Sequence, residues 1–265
     1  MRWTEAPDGA AMSEYGAERI FAVLAGAADA KARVNLGAAT GHTMLEVYAR
    51  LAARLNGARV DLERLHIYNL DEYVGADGRA VTSRHPLSYR RYMEEHFFSR
   101  LDPGLGFSRD NAHFPDPARP SAFDGELEAA GGLDFQLLGI GFNGHIAFNE
   151  PMAESEIGVE AFAALPSRVV ALAELTLATN RRLAAGGPDS VPRRAVTMGM
   201  RSILAAREIL LLACFAEQEA VLARLADGRV TPELPASFLR RHPRVEIVRV
   251  RDAIPVDGGG MAVVG

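Results

Sequence analysis

The sequence predicts an α/β fold of three layers, with a doubly wound, mostly parallel sheet of Rossmann-like type. Three observations point there. Apolar runs of strand length alternate with amphipathic stretches of helix length along the whole chain. Several of those runs stop abruptly in turns rich in Gly, Thr or Asp, as strands do at the ligand-binding carboxyl edge of an open sheet. Finally, 265 residues with 48% hydrophobic and 24% charged side chains suffice for a full core.

The elements follow in order. Residues 12–28 carry apolar positions at helical spacing after the Pro7-Asp8-Gly9 turn. A short strand at 33–36 runs into Gly37-Ala38-Ala39-Thr40-Gly41-His42-Thr43, and 44–55 reads as a helix burying Leu45, Tyr48, Ala49, Ala52 and Leu55. The strand 65–70 leads directly into Asp71-Glu72-Tyr73-Val74-Gly75. Residues 86–101 read as a helix and 102–120 as a long surface loop, with a short helix at 121–130 capped by Ser121. The strand 134–140 ends in the Gly-rich stretch 139–151. Residues 152–167 are small and acidic and read as a mobile flap. Further strands are expected at 168–171, 195–198, 209–213 and 245–250, with helical connections at 174–185, 202–206, 217–225 and 235–242. No repeat or linker interrupts this, so residues 1–265 are expected to form one domain, with a lid around 152–185.

Composition narrows the function. A formal net charge of −5 argues against nucleic acid as a partner. No apolar run approaches the roughly 18 residues of a membrane span, and the N-terminus lacks a secretory signal, so a cytoplasmic protein is expected. The single cysteine, Cys214, has no partner for an internal disulfide and is expected to be buried and inert.

Three turns carry candidate chemistry. The 37–43 turn joins a strand to a helix N-terminus, where free N–H groups and the helix dipole favour an anion; equally, Thr40 and Gly41 could do no more than cap the helix. Asp71 and Glu72 are adjacent in extended chain and so point to opposite sides: one is expected to face a site and the other to face away. In 139–151, Gly-Ile-Gly-Phe-Asn-Gly-His-Ile-Ala-Phe-Asn-Glu-Pro, glycines at 139, 141 and 144 set an imidazole, His145, close to Asn143 and Glu150. A histidine titrating near neutrality suits acid–base work.

Taken together, these strings resemble the glucosamine-6-phosphate deaminase (isomerase) family: 36–41, Leu-Gly-Ala-Ala-Thr-Gly; 69–75, Asn-Leu-Asp-Glu-Tyr-Val-Gly; and 139–151. Ser88-Tyr89, Phe97-Phe98, Asn180 with Arg182, 191–199, and Pro235-Ala236-Ser237 with His242-Pro243 extend the likeness over about residues 30–250. The resemblance implies conversion of an aldosamine 6-phosphate to a ketose 6-phosphate plus ammonia through an enol-like intermediate, without metal or organic cofactor. It assigns Asp71 as the base that carries a proton from C2 to C1. His145 becomes the group that opens the sugar ring, oriented by Glu150 and Asn143. Thr40, Gly41, His42, Thr43, Gly141 and Arg182 fall to substrate binding, with the phosphate held by the Thr-Gly turn and Arg182. The expected partner is a small-molecule sugar phosphate, and whether the chain forms a homo-oligomer is left open.

Position 143 is Asn where many members have Asp, so His145 would be oriented by hydrogen bonding without a second charge. A family lysine after the strand 209–213 aligns with Glu219, and His42 replaces a Gly or Ser. A carboxylate at Glu219 would repel a phosphate. Arg182 and His42 would then hold the phosphate alone, or the substrate would lack one and Glu219 would bind a sugar hydroxyl or amine, or the helix is aligned one turn out. Ala153 and Glu154 replace serines of the family's allosteric site, so activation by N-acetylglucosamine 6-phosphate is not expected. A 6-phosphogluconolactonase shares the fold but follows its Gly-His with a different string. A non-catalytic sugar-phosphate sensor would need about 60 residues of helix-turn-helix ahead of a core strand that here begins at residue 33.

Overall fold

A computed structural model describes residues 1–183 and 191–256. Its strands are β1 (Arg2–Ala6), β2 (Val34–Ala38), β3 (Leu65–Asn69), β4 (Asp71–Val74), β5 (Ala112–His113), β6 (Phe135–Leu138), β7 (Arg168–Ala171), β8 (Arg194–Thr197), β9 (Ile209–Phe215) and β10 (Val245–Ile254). The helices are α1 (Gly9–Asp29), α2 (Leu45–Ala58), α3 (Tyr89–His96), α4 (Pro120–Ala129), α5 (Val159–Ala163), α6 (Glu174–Leu183), α7 (Met200–Leu204) and α8 (Glu219–Asp227). Seven strands form a parallel sheet in the order β1-β10-β9-β6-β2-β3-β5, flanked by helices as a three-layer α/β fold. The central strands β2, β6 and β9 are buried along their whole length, as a sheet covered on both faces requires.

The single sheet expected from the sequence is corrected in one respect. Strands β4, β8 and β7 form a second, antiparallel sheet. The chain passes from one sheet to the other through Leu70. Its N–H bonds Ala38 O at 3.3 Å on the β2 side, and its carbonyl accepts Met198 N–H at 2.6 Å on the β8 side. Asp71 and Glu72, read as a strand end, are therefore the first residues of a new strand.

Other boundaries moved for local reasons. Asp8 caps α1, accepting Ala11 N–H at 2.8 Å. Ser121 is not the cap of α4: the helix begins one residue earlier on Pro120, which needs no N–H partner at that position. The helix expected over 86–101 is shorter, α3 followed by a 3-10 turn. The edge strands β1 and β5 carry no clear alternation and escaped the sequence pattern. Cys214 belongs to β9 and is buried, with its thiol 3.5 Å from Thr43 Oγ1.

The expected flap is anchored over much of its length. Phe162 is fully buried and stacks on Phe238 at 5.1 Å. Ser167 donates from its hydroxyl to Asp124 at 2.7 Å, and its oxygen accepts Gly199 N–H at 3.2 Å. These contacts tie α5 and the start of β7 into the body; the part of 152–185 that borders the candidate site is α6, and residues 184–185 lie outside the described residues.

Candidate active site

The cleft lies at the carboxyl ends of β2, β3, β6 and β9, where parallel strands hand over to loops and helices. Thr40, Gly41, His42, Thr43, Asp71, Gly141, Asn143 and His145 all line it, as expected from the sequence. Glu150 stands behind His145 and completes the constellation.

One hydroxyl ties together the two strand ends that bring Asp71 and His145 to the same cleft. Thr197 lies opposite Asp71 in the β4–β8 register, and its Oγ1 accepts Phe148 N–H at 2.9 Å. Asn149 adds a second tie, donating to Ile146 O at 3.1 Å and to Met198 O at 2.9 Å. The 139–151 loop is thereby fastened to the small sheet that begins with Asp71.

The two adjacent carboxylates divide their work as predicted. Glu72 is buried and saturated: Oε1 accepts the N–H groups of Tyr73 (3.0 Å) and Tyr89 (2.9 Å), and Oε2 accepts Ser88 Oγ–H and Arg90 N–H, both at 3.0 Å. It holds the N-terminus of α3, where a carboxylate also meets the helix dipole. Burial nonetheless lifts its pKa above the usual carboxylate range, against the pull of those donors. Asp71 is only 7% exposed and takes part in no side-chain hydrogen bond among the described residues. Burial, and next the negative charge of Glu72, push its pKa well above the ordinary value. A desolvated, unpartnered carboxylate facing a cleft is strongly basic once ionised.

At the other end of the cleft, His145 Nδ1 lies 3.3 Å from Glu150 Oε2 and 3.4 Å from Thr176 Oγ1. Glu150 also accepts Asn143 Nδ2–H at 2.7 Å and Ala173 N–H at 3.1 Å. Burial alone would raise the Glu150 pKa. Hydrogen bonds and charge from His145, with further bonds from Asn143 and Thr176, outweigh it and hold the carboxyl at about 2. Asn143 orients His145 differently from the expectation. Its amide oxygen accepts the His145 backbone N–H at 3.2 Å, and its effect on the ring passes through Glu150.

Backbone geometry in this loop has specific residue requirements. A Cβ on Gly141 would stand 2.3 Å from His145 Cε1, so only glycine lets the ring lie there. Gly144 has φ +88°, and Ala147 adopts φ 50°, a left-handed conformation that costs a non-glycine residue of order 1 kcal/mol.

The opposite end is the 40–43 turn. Gly41 has φ 104° and ψ 173°, a conformation open essentially to glycine alone, and it starts a 3-10 turn that continues into α2. The first N–H groups of such a helix lack intrahelical partners and are directed outward. His42 lies beside them; burial, and then the charge of His96, lower its pKa, which favours the neutral ring.

Two expected contacts are absent. Glu219 does not reach the cleft. It lines a separate cavity with Glu5, Phe215, Leu222, Arg249 and Arg251, because the chain makes a 3-10 turn at Ala216–Gln218 before α8 begins. Gln218 occupies the place expected for Glu219, its side chain bridging Phe215 N–H (2.8 Å) and Ile140 O (2.7 Å). Arg182, in the last turn of α6, is exposed and does not line the cleft, although its neighbours Thr179 and Asn180 do. Among the described residues no lysine or arginine lines it.

Sequence reading also passed over Tyr73, Tyr89 and Thr176. Tyr89 lines the cleft, while Tyr73 accepts Asn180 Nδ2–H at 2.8 Å and so docks α6 onto the body. Helical periodicity marks Tyr89 as apolar but cannot say which cavity it borders.

What these groups share is proton transfer: a basic carboxylate and a carboxylate-backed imidazole border one small polar cleft, with an anion-favouring turn at its far end. The class so defined is an α/β acid–base enzyme acting on a small molecule. The chain belongs to the family described as glucosamine-6-phosphate isomerases/6-phosphogluconolactonase, whose model matches residues 7–156. It is 40% identical over 219 residues to the glucosamine-6-phosphate deaminase of Rhodopirellula baltica, covering 80% of each chain. It is 38% identical over 258 residues to that of a Geobacillus species, covering 96% of this chain and 95% of the relative. Among solved structures, a monomeric glucosamine-6-phosphate deaminase superposes with TM-score 0.83 at 29% identity, over 95% of this chain and 98% of that one.

Proposed function

We propose that this protein is a glucosamine-6-phosphate deaminase: with water, it converts the aldosamine 6-phosphate to a ketose 6-phosphate and ammonia. The observation that carries the reading is that Asp71 and the Glu150-backed His145 border the same cleft. In the reaction, His145 takes the proton of the C1 hydroxyl and delivers it to the ring oxygen, opening the sugar. Ionised Asp71 then removes the C2 proton, leaving an enol-like amine, and returns the proton to C1. The resulting C2 imine adds water and collapses to the ketone, releasing ammonia. The residues assigned to these steps are Asp71, His145, Glu150 and Asn143.

The phosphate is assigned to the helix-initiating N–H groups and side chains of Thr40, Gly41, His42 and Thr43, with Gly141 at the wall between the two ends. Arg182 is assigned to the phosphate as α6 closes. The case for a non-phosphorylated substrate rested on a carboxylate at Glu219. That carboxylate lies in another cavity, and the neutral Gln218 in its place raises no repulsion. A lactonase needs no C2 base, which makes the isolated Asp71 carboxylate easier to understand in a deaminase. No helix among the described residues is long and apolar enough to cross a membrane, and a cytoplasmic location is part of the same reading. Light scattering distinguishes a monomer from a homo-oligomer.

The test is ammonia release from glucosamine 6-phosphate, galactosamine 6-phosphate and glucosamine side by side, with ketose 6-phosphate measured in parallel. Equimolar ammonia and ketose phosphate from the first substrate is the expected result. Absence of ammonia together with hydrolysis of a 6-phosphogluconolactone would replace this reading with the lactonase one.

A further inference from the structure

Among the described residues, helix α6 reaches the acid–base pair through one buried side chain. Thr176, third residue of α6, is 4% exposed. Its Oγ1 stands 3.4 Å from His145 Nδ1, and Thr176 is among the groups that hold the Glu150 carboxyl below its ordinary pKa. One residue before the helix, Ala173 N–H is donated to the other oxygen of Glu150 at 3.1 Å. A hydroxyl has one proton. Given to the acceptor-only carboxylate of Glu150, it leaves the Thr176 oxygen to accept, and among the described residues the donor offered is an Nδ1–H of His145. The network is consistent in one arrangement: Thr176 O–H to Glu150, and Nδ1–H shared between Glu150 and Thr176. Nε2, which bonds no protein group among the described residues, is then the unprotonated nitrogen free to receive a substrate proton.

We propose that Thr176 is a positioning residue for the ring-opening step, fixing the Nδ1–H tautomer of His145 through the Glu150 carboxylate when α6 is docked. This deepens the reading of the site given above and rests on it for the identity of the reaction. Docking of α6 is itself anchored on Tyr73 through Asn180, so helix placement and imidazole orientation are coupled through the same body. A hydrophobic side chain of equal size at 176 keeps the packing and deletes the hydroxyl.

The experiment compares Thr176→Val and Thr176→Ser with the unmodified protein. Nitrogen-15 chemical shifts of the His145 imidazole are recorded without ligand, and kcat and KM are measured for glucosamine 6-phosphate. Expected are well-separated Nδ1–H and bare Nε2 shifts in the unmodified protein and in Thr176→Ser. In Thr176→Val the two nitrogen shifts move toward one another, and kcat falls about 10-fold or more, with KM within about twofold. Unchanged shifts in Thr176→Val would overturn the proposal, whatever happened to kcat, because a merely structural role leaves the tautomer alone. Unchanged kcat in that variant would overturn it as well. If the unmodified protein released no ammonia, the proposed reaction would fail on its own, while the ligand-free shifts would still decide whether Thr176 sets the tautomer.

Discussion

Thr197 faces Asp71 across the β4–β8 pair, and the same threonine hydroxyl accepts the Phe148 N–H at 2.9 Å. A residue with no acid–base chemistry of its own thus sets the spacing between the two halves of the cleft. Removing its hydroxyl leaves a buried N–H without a partner, at a cost of about 1–3 kcal/mol. Thr197→Val is accordingly expected to lower Tm by several degrees and kcat by about 10-fold. Calorimetry and steady-state kinetics check the pair of effects.

Asp71→Asn removes the proposed C2 base and keeps the shape. Turnover is expected to fall by about 10²–10⁴, with KM for glucosamine 6-phosphate nearly unchanged. Stability should move the other way. A carboxyl whose folded pKa lies above its unfolded value binds protons more readily when folded. It therefore destabilises the protein as pH rises from its unfolded pKa through the raised one. Asp71→Asn should be more thermostable than the unmodified chain at pH 8, with the difference shrinking toward acid pH. An equal or lower Tm at pH 8 would count against an unpartnered Asp71.

The same carboxyl sets the acid side of the rate profile. In the proposed reaction Asp71 acts ionised, so kcat/KM should fall as pH drops through a midpoint well above the ordinary value of 3.8. A rate flat from neutrality down to pH 5 would argue for a different base.

Gly141→Ala forces the His145 ring off its place, since the new methyl would stand 2.3 Å from Cε1. Displacement of about 1 Å in a reacting group costs about 10²-fold in rate. The expected outcome is a large loss in kcat with little change in the folding midpoint, read by kinetics and circular dichroism.

Positions 218 and 219 offer opposite outcomes. Glu219→Lys should leave KM for the phosphorylated substrate unchanged, because that side chain lies in a separate cavity. Gln218→Glu sets a carboxylate oxygen against the Ile140 carbonyl in a buried site. It is expected to lower Tm by several degrees. A lower KM in Glu219→Lys would restore Glu219 to the substrate pocket.

The legible parts of this protein were those in which a local string fixes a local geometry. The Gly-rich turn that seats His145, the strand-to-helix turn at Gly41, and the opposed pair Asp71 and Glu72 all follow from backbone preferences within a few residues. What stayed hidden depends on partners distant in sequence. Residues 168–171 and 195–198 read as strands of the main sheet, and 71–74 as the turn after one, because an apolar run does not say which neighbour it pairs with. Glu219 and Gln218 differ by one residue, and only the 3-10 turn before α8 decides which of them meets the cleft. Thr176 looked like any small residue in a helix; its importance comes from the loop it touches, some thirty positions earlier.

Leu70 has a mechanical consequence. Its N–H is committed to the large sheet and its carbonyl to the small one, with Asp71 as the next residue. The two sheets cannot part without tearing the backbone hydrogen bonds that flank Asp71. Helix α6, by contrast, is joined to the remainder through side chains, and its Leu175, 51% exposed, lines the cleft. Amide exchange separates the two parts of the fold: Leu70 and Met198 should exchange only with global unfolding, and α6 through local opening orders of magnitude faster.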